Sequence, residues 1–568
     1  MDYRKKFEEW LDGEHFDALT KEELNKIIND EKEIEDRFYQ DLYFGTGGLR
    51  GVIGAGTNRI NKYTVARATK GLANYIIKQG EKEPSVVIAH DSRHFSKEFA
   101  QEAAGVLLSS GIKVYLFEDL RPTPELSFAV RETKSTAGIV ITASHNPPEY
   151  NGYKVYWKDG GQVVSPVAEE LMEEINNIKD FSNIKCLDGC PLDSFENLHF
   201  IGEEMDKAYF DKVKSLSLNP QVIKEAADLK IVYTPLHGSG NMPVRRVLKE
   251  MGFENVQVVP EQEKPDGSFP TVEYPNPEEE KSFNLALELA KELDADLILA
   301  TDPDCDRVGV MVKRNKGKYF KLSGNQTGVL LGHYIMDSLK TKGLLKQDSF
   351  IIDTIVTGRM TEKIAKSYGI ETVSTLTGFK YIAQQIKEQE DEGSKHFLFG
   401  FEESYGYLAG NFVRDKDAVI ASLLISEMVA FYKRKGMTLY DVLIALYETY
   451  GYHREELFSI VRRGKEGAQA IGSIMEHMRN NPPKSLAGIK IWEIRDYMSY
   501  EGPIKLPKDN VLYFILEDGS WFAMRPSGTE PKLKVYIGVL DSSLEASQNK
   551  LKRLMDDMKT LLQSDRVI

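Results

Sequence analysis

Cysteine is scarce in this chain: there are three among 568 residues, Cys186, Cys190 and Cys305. A low and odd count suits a reducing compartment. Cys186 and Cys190 stand close together, but no second pair completes a zinc site. An excess of positive charge is also lacking, since the net charge is −14. A global acidic field repels nucleic acid and anionic lipid, so neither is an expected partner. An anionic substrate would therefore need a locally basic site. The first residues, Met1-Asp2-Tyr3-Arg4-Lys5-Lys6-Phe7-Glu8-Glu9-Trp10, lack an apolar core and read as an amphipathic helix, not a signal peptide. The longest apolar stretch, Ala418 to Tyr432, is interrupted by Ser422, Ser426 and Glu427 and reads as a buried helix instead of a membrane span. The expectation is a soluble cytoplasmic protein.

What is present is an ordinary globular composition, 41% hydrophobic and 28% charged. At about 150 residues per domain, the length suggests three to four domains. One pattern recurs three times: an apolar strand, a polar loop, an amphipathic helix, a glycine and a second strand. The first copy runs from Val86 to Ala89, through a helix with Phe99, Ala103, Val106 and Leu107 on one face, to Gly111 and the strand Ile112 to Phe117. The second runs from Ile231 to Tyr233, through Val244, Val247, Leu248 and Met251, to Gly252 and Val256 to Val259. The third has Phe350 to Ile352, then Met360, Ile364 and Tyr368, then Gly369. Strand, crossover helix and strand imply parallel pairing, with the glycine just past the helix end. The pattern predicts three related α/β domains. From about residue 450 it gives way to short strands and helices, which predict a smaller α+β fourth domain after a helical connector around residues 430–450.

Several loops could carry chemistry. Thr142-Ala143-Ser144-His145-Asn146-Pro147 follows the apolar run Ala137 to Ile141. This puts a serine on a short stiff loop at a strand's C-terminal end, where open α/β sheets bind ligands. Thr301-Asp302-Pro303-Asp304-Cys305-Asp306-Arg307 also follows a buried run. Carboxylates at i, i+2 and i+4 can converge on one hard cation, and Mg²⁺ is expected because few protein oxygens leave room for a phosphoryl oxygen. An EF-hand is rejected, since its glycine and glutamate positions hold Arg307 and Lys313. In Arg525-Pro526-Ser527-Gly528-Thr529-Glu530-Pro531-Lys532, a guanidinium fork, hydroxyls and a glycine suit phosphate. Gly400-Phe401-Glu402-Glu403-Ser404-Tyr405-Gly406 offers acceptors for sugar hydroxyls. Arg50 in Phe44-Gly45-Thr46-Gly47-Gly48-Leu49-Arg50-Gly51, together with Lys154, Lys380, Arg414 and Lys416 on further loops, could supply the positive field that the whole chain lacks.

Taken in this order, the motifs TASHNP, DPDCDR, GFEES and RPSGTEPK resemble those of the α-D-phosphohexomutase superfamily, over nearly the whole chain. Length and the FGTGGLRG opening resemble the bacterial phosphoglucomutases and the eukaryotic phosphoglucomutase-2/phosphopentomutase branch. The resemblance implies three α/β domains with mixed sheets and a TATA-box-binding-protein-like fourth around a central cleft, with boundaries set here at residues 1–205, 206–322, 323–440 and 441–568. It implies that Ser144 is a phosphoserine and that Asp302, Asp304 and Asp306, with an oxygen on Ser144, hold Mg²⁺. Lys154, Arg50 and His145 would assist proton transfer or stabilise charge. Glu402 and Ser404 would bind sugar hydroxyls with Thr377, Gly378 and Lys380 around the ring, Arg307 and Lys416 would also bind substrate, and Arg525, Ser527, Gly528 and Thr529 would hold the phosphate that is not reacting. Ala418 departs from relatives, where glycine is frequent at that place.

The activity so implied interconverts glucose 1-phosphate and glucose 6-phosphate, with glucose 1,6-bisphosphate as activator and intermediate. The partners are small sugar phosphates, and monomer or dimer is left open. Alternatives are a phosphopentomutase or phosphomannomutase, more remotely a metal-dependent sugar phosphatase, and from another class a non-catalytic sugar-phosphate-binding protein.

Overall fold

A computed structural model describes residues 3–43, 48–185, 190–314, 317–393, 395–462, 464–502, 504, 506–527 and 532–563. The chain divides into two compact units. The first comprises Met1–Leu322, Ala383–Glu392 and Ser404–Lys435; the second comprises Ser323–Ile382, Gly393–Glu403 and Gly436–Ile568.

The first unit holds two mixed sheets. One contains β1 (Gly48–Val52), β2 (Ser85–His90), β3 (Lys113–Phe117), β4 (Ala137–Ile141), β5 (Tyr150–Trp157) and β6 (Leu198–Ile201), in the order β1-β5-β4-β2-β3-β6. β2 pairs in parallel with β3 and β4, whereas β5 runs antiparallel to β4 and β1. Every residue of β2 is buried, as expected of a strand covered on both faces. Val86 and Ile88 join a cluster with residues of the helices Lys62–Lys78 and Ser96–Ser109. The alternate residues Val87 and Ala89 pack instead with Leu126, Ala129 and Val130 of the helix Thr123–Glu132. The second sheet contains β7 (Lys230–Thr234), β8 (Asn255–Val258), β9 (Leu297–Thr301), β10 (Val308–Arg314) and β11 (Lys318–Leu322), in the order β11-β10-β9-β7-β8. Three amino-terminal helices, beginning with the expected amphipathic Tyr3–Asp12, bury Phe7, Trp10, Phe16 and Phe38 against Tyr63.

In the second unit β12 (Ser349–Thr354) pairs in parallel with β13 (Glu371–Thr375) and β14 (His396–Glu402). β15 (Gly406–Ala409) and the buried helix Ala418–Arg434 return to the first unit. Among the described residues no helix is long and apolar enough to cross a membrane. The carboxy-terminal part forms an antiparallel sheet of β16 (Tyr452–Val461), β17 (Ser485–Leu486), β18 (Ile489–Asp496), β19 (Leu512–Leu516), β20 (Trp521–Pro526) and β21 (Lys532–Asp541), ordered β16-β21-β20-β19-β18-β17. Helices Gly464–Asn480 and Leu544–Gln563 cover one face of it. On the other face Tyr513, Trp521, Ala523 and Tyr536 pack with Ile355, Val356 and Leu376, so two sheets of this unit share one apolar seam.

All three strand–helix–strand repeats are present, each with its two strands in parallel register. Gly111, Gly252 and Gly369 each take a positive φ just past a helix end, which a residue with Cβ adopts at a cost of about 1–2 kcal/mol. Cys305 is buried and free; Cys190 is disulfide-bonded, and Cys186 lies outside the described residues.

Candidate active site

In the first unit, strand ends gather the charged residues. β2, β4 and β9 are apolar and buried, and each runs directly into a polar loop at its C-terminal end: Asp91–Arg93, Thr142–Pro147 and Asp302–Arg307. Ser144 sits in the second loop with φ 53°, a left-handed conformation for a residue with Cβ. Its Oγ donates to Asp302 Oδ2 at 2.8 Å, although 158 positions separate the two residues. The same Oγ lies 3.2 Å from Nδ1 of His145. The expected meeting of the serine with the aspartate turn is therefore present.

Asp302, Asp304 and Asp306 are buried, and one oxygen from each lies within 4.8 Å of the others. Two backbone N–H groups, of Asp306 and Arg307, donate to Asp302 Oδ1 at 3.1 and 3.0 Å. From β5, Lys154 Nζ reaches Asp304 Oδ2 at 2.8 Å and Asp306 Oδ2 at 3.4 Å. Lys416 Nζ lies 3.2 Å from Asp306 Oδ2. The Thr123 hydroxyl donates to Asp304 Oδ2 at 2.8 Å, and the Thr123 N–H to the Asp304 carbonyl at 2.9 Å. Burial pushes the Asp302 carboxyl up, and the neighbouring carboxylates of Asp306 and Asp304 push it further. Burial works the same way on Asp304, but the Lys154 ammonium and the Thr123 hydroxyl outweigh it and hold that group below the usual carboxylate range.

A divalent cation fits this donor set. Asp304 Oδ1 and Asp306 Oδ1 are buried without a hydrogen-bond partner among the described residues. Unpaired carboxylate oxygens at such proximity are what a hard cation binds, and leaving them bare would be costly.

The other residues named from sequence fall in different places. Arg50, exposed on β1, donates from Nη1 to Asn146 Oδ1 at 3.1 Å and so reaches the serine loop. Arg307 is drawn to Glu278 by an ion pair. Lys416 stands with the aspartates. Ser404 falls in the first unit and Glu402, the buried last residue of β14, in the second.

The second unit carries its own polar constellation. Thr377 and Gly378 link β13 to the helix Phe379–Asp391; Gly378 needs its φ of 121°, and Thr377 Oγ1 is buried without a hydrogen-bond partner among the described residues. The next residue but one, Lys380, is lowered to about 8 by burial, with Asp509 acting against the shift and Arg525 adding to it. Arg525, near the end of β20, lies 3.5 Å from Asp509. Lys380 and Arg525, 145 positions apart by number, thus feel one another within this unit. The Ser527 N–H donates to the Lys532 carbonyl at 2.7 Å; Gly528 and Thr529 lie outside the described residues. Glu403 accepts from the Thr354 hydroxyl at 3.0 Å and is pushed up to about 7, by burial first and by Glu402 second.

Four family models match the chain in sequence order: the α/β/α domains I, II and III of phosphoglucomutase/phosphomannomutase at residues 41–181, 207–317 and 323–450, and the C-terminal domain at residues 488–558. The chain belongs to this family. Phosphoglucomutase/phosphomannomutase relatives are also close in sequence. A protein named phosphoglucomutase from Staphylococcus haemolyticus (strain JCSC1435) is 40% identical over 534 residues, 91% of this chain and 93% of the relative. One of the same name from Staphylococcus aureus (strain MRSA252) is 40% identical, with 92% and 94% covered. Among solved structures, a phosphoglucomutase/phosphomannomutase family protein from Burkholderia thailandensis aligns with TM-score 0.66 at 18% identity, covering 92% of this chain and 96% of that one. Parafusin from Paramecium, described as a phosphoglucomutase in its open form, aligns with TM-score 0.68 at 17% identity, covering 92% and 95%. At those identities the likeness speaks to the fold.

Asp91, Arg93 and Thr123 also belong to this phosphohexomutase site, and no motif in the sequence marks them. Arg93 and Asp91 follow an entirely buried strand at its C-terminal end, as Ser144 does, and that placement was the available signal. Thr123 opens a helix, and nothing local ties it to Asp304.

Proposed function

We propose that this family member is a phosphoglucomutase: it interconverts glucose 1-phosphate and glucose 6-phosphate through a phosphorylated Ser144 and glucose 1,6-bisphosphate. The observation that carries this is the 2.8 Å contact of Ser144 Oγ with Asp302, inside a buried triad with two carboxylate oxygens that accept no hydrogen bond among the described residues. The phosphorylated serine gives its phosphoryl group to the free hydroxyl of the sugar monophosphate: the bond to Oγ breaks and one to the sugar oxygen forms. The bisphosphate then returns its other phosphoryl group to Oγ. Phosphoryl transfer needs positioning and neutralised charge more than any covalent novelty. Asp302, Asp304 and Asp306 would hold Mg²⁺, which supplies charge neutralisation when bound. His145 Nδ1 is within reach of the proton on Ser144 Oγ. Lys154 and Arg50 contribute fixed positive charge to an otherwise acidic protein.

In this reading Glu402 and Ser404 accept from sugar hydroxyls, with Thr377 and Gly378 beside the ring. Arg525, Lys380 and Ser527, with Gly528 and Thr529, take the phosphate that is not reacting. Replacing Arg525 by alanine removes charge-assisted hydrogen bonds worth about 1.5–3 kcal/mol. KM for both monophosphates should rise by about 10- to 100-fold, with a smaller change in kcat; an unchanged KM would remove Arg525 from the phosphate site.

Lys380 predicts a pH dependence. Its pKa falls from 10.5 when unfolded to about 8 when folded, so the ammonium is present in both states below pH 8. The folded chain alone loses the proton between the two values. The unfolded chain then binds more protons, and stability rises with pH across that window. The anion-binding charge is lost there too, so KM should climb above about pH 8. Lys380→Arg should move that limb beyond the accessible range. A flat KM up to pH 9.5, or a limb unmoved by the substitution, would count against the role.

Phosphorus NMR of glucose 1-phosphate with Mg²⁺ and a trace of glucose 1,6-bisphosphate tests the function itself. Conversion to glucose 6-phosphate without accumulation of inorganic phosphate is expected. Phosphate released in step with turnover would point to a phosphatase, and faster conversion of mannose or ribose phosphates would reassign the sugar.

A further inference from the structure

We infer that Arg93 is the positioning residue for the nucleophile: it holds the Ser144 loop in the backbone conformation from which Oγ meets Asp302. The inference rests on the phosphoserine reading above and adds a residue to it.

The loop between β4 and β5 has no ladder of its own to fix it, and Ser144 adopts a left-handed φ of 53°. A non-glycine residue persists in such a region, at about 1–3 kcal/mol, only when its surroundings over-determine it. The Arg93 guanidinium does this from beneath. It donates to the carbonyl oxygens of Ser144 and Asn146, and to those of Pro147 at 2.8 Å and Tyr150 at 3.0 Å. Three acceptors on the loop and a fourth on the first residue of β5 are thus tied to one planar side chain, itself 3% exposed. A guanidinium can serve them together because its donors are splayed in a rigid fork; an ammonium offers one point of attachment. Arg93 touches none of the reacting atoms.

The fork is oriented in turn. Asp91 accepts from the Arg93 backbone N–H at 2.9 Å and from the Ser96 hydroxyl at 2.7 Å. Its second oxygen accepts from the Thr142 hydroxyl at 2.6 Å and lies 3.4 Å from Arg93 Nε. Thr142 Oγ1 then accepts the Ser144 N–H at 2.8 Å. Both backbone groups of the nucleophile, N–H through Thr142 and C=O through Arg93, are therefore set by the loop that leaves β2. The ring of Phe269 lies 4.9 Å from the guanidinium carbon and backs it.

Two variants test this. Arg93→Lys keeps the charge but not the fork. Asp91→Asn with Arg93→Met removes both buried charges together, so that neither is left uncompensated. A nucleophile misplaced by about 1 Å costs about 10²-fold in rate. Both variants should lose about that factor in kcat per folded molecule, with KM for glucose 1-phosphate and the Mg²⁺ concentration for half-activation within about threefold of wild type. Hydrogen exchange should also quicken in Thr142–Pro147 while β2 and β4 stay protected. Wild-type kcat in the folded variants, losses confined to KM, unchanged exchange in the serine loop, or failure of both variants to fold would each overturn the inference. A wild-type protein without mutase turnover would instead sink the phosphoglucomutase reading, and the exchange measurement would still decide the role of Arg93.

Discussion

Ser144→Ala should abolish phosphoglucomutase turnover while leaving the binding of sugar phosphates in place. The expected loss in kcat is at least about 10⁴-fold, because a covalent route loses its only acceptor for the phosphoryl group and nothing replaces it. The fold has little reason to suffer. Oγ makes two side-chain contacts, with Asp302 and His145, and the carbonyl and N–H that anchor the loop belong to the backbone. Calorimetric titration with glucose 6-phosphate should give a Kd within a few-fold of wild type, since the proposed sugar and phosphate groups are on other loops. Turnover by the folded variant at more than a small fraction of the wild-type rate would remove Ser144 from the chemistry.

Asp304→Asn should be the next most damaging change. Asp304 and Asp306 each keep one buried oxygen without a hydrogen-bond partner among the described residues, and an amide in place of the first removes a charged ligand from a three-carboxylate site. Stabilisation of the transferring phosphoryl group by a cation is worth several kcal/mol, so a fall in kcat of about 10³-fold is expected. The same substitution leaves Lys154 facing one fewer carboxylate, because its ammonium lies 2.8 Å from Asp304 and 3.4 Å from Asp306. Equilibrium dialysis with Mn²⁺ separates the two effects. Weakened ion binding together with lost activity supports the metal role, and ion binding equal to wild type in the inactive variant would assign Asp304 to holding Lys154. Chelation of the wild-type enzyme should silence it reversibly, with recovery on added Mg²⁺.

The sequence was most legible where chemistry follows directly on an apolar strand. Ser144 after Ala137–Ile141 and Asp302–Asp306 after Leu297–Thr301 are local patterns, and the structure brings them to one place. The three strand–helix–strand repeats could be read from period and glycine alone. Arg93 was hidden because its partners are backbone carbonyls 51 to 57 positions away, which no side-chain pattern reports. Thr123 was hidden likewise, 181 positions from Asp304. The partners of Arg307 and Lys416 were not legible either: Arg307 pairs with Glu278, 29 positions away, and Lys416 with Asp306. The apolar seam joining the β19–β21 face to Ile355, Val356 and Leu376 depends on which side of each strand is already covered by helices, and that is settled only by the packing.

In the proposed reaction one phosphoryl group rides on one hydroxyl, that of Ser144. Peptide mass spectrometry of the enzyme after incubation with glucose 1,6-bisphosphate, then with excess glucose 1-phosphate, follows that group. The phosphoryl mass should appear on the peptide containing Ser144 and be carried off by the monophosphate with matching gain of bisphosphate in solution. A fully active enzyme whose Ser144 peptide never gains that mass, or gains it and cannot surrender it to the sugar, would contradict the account.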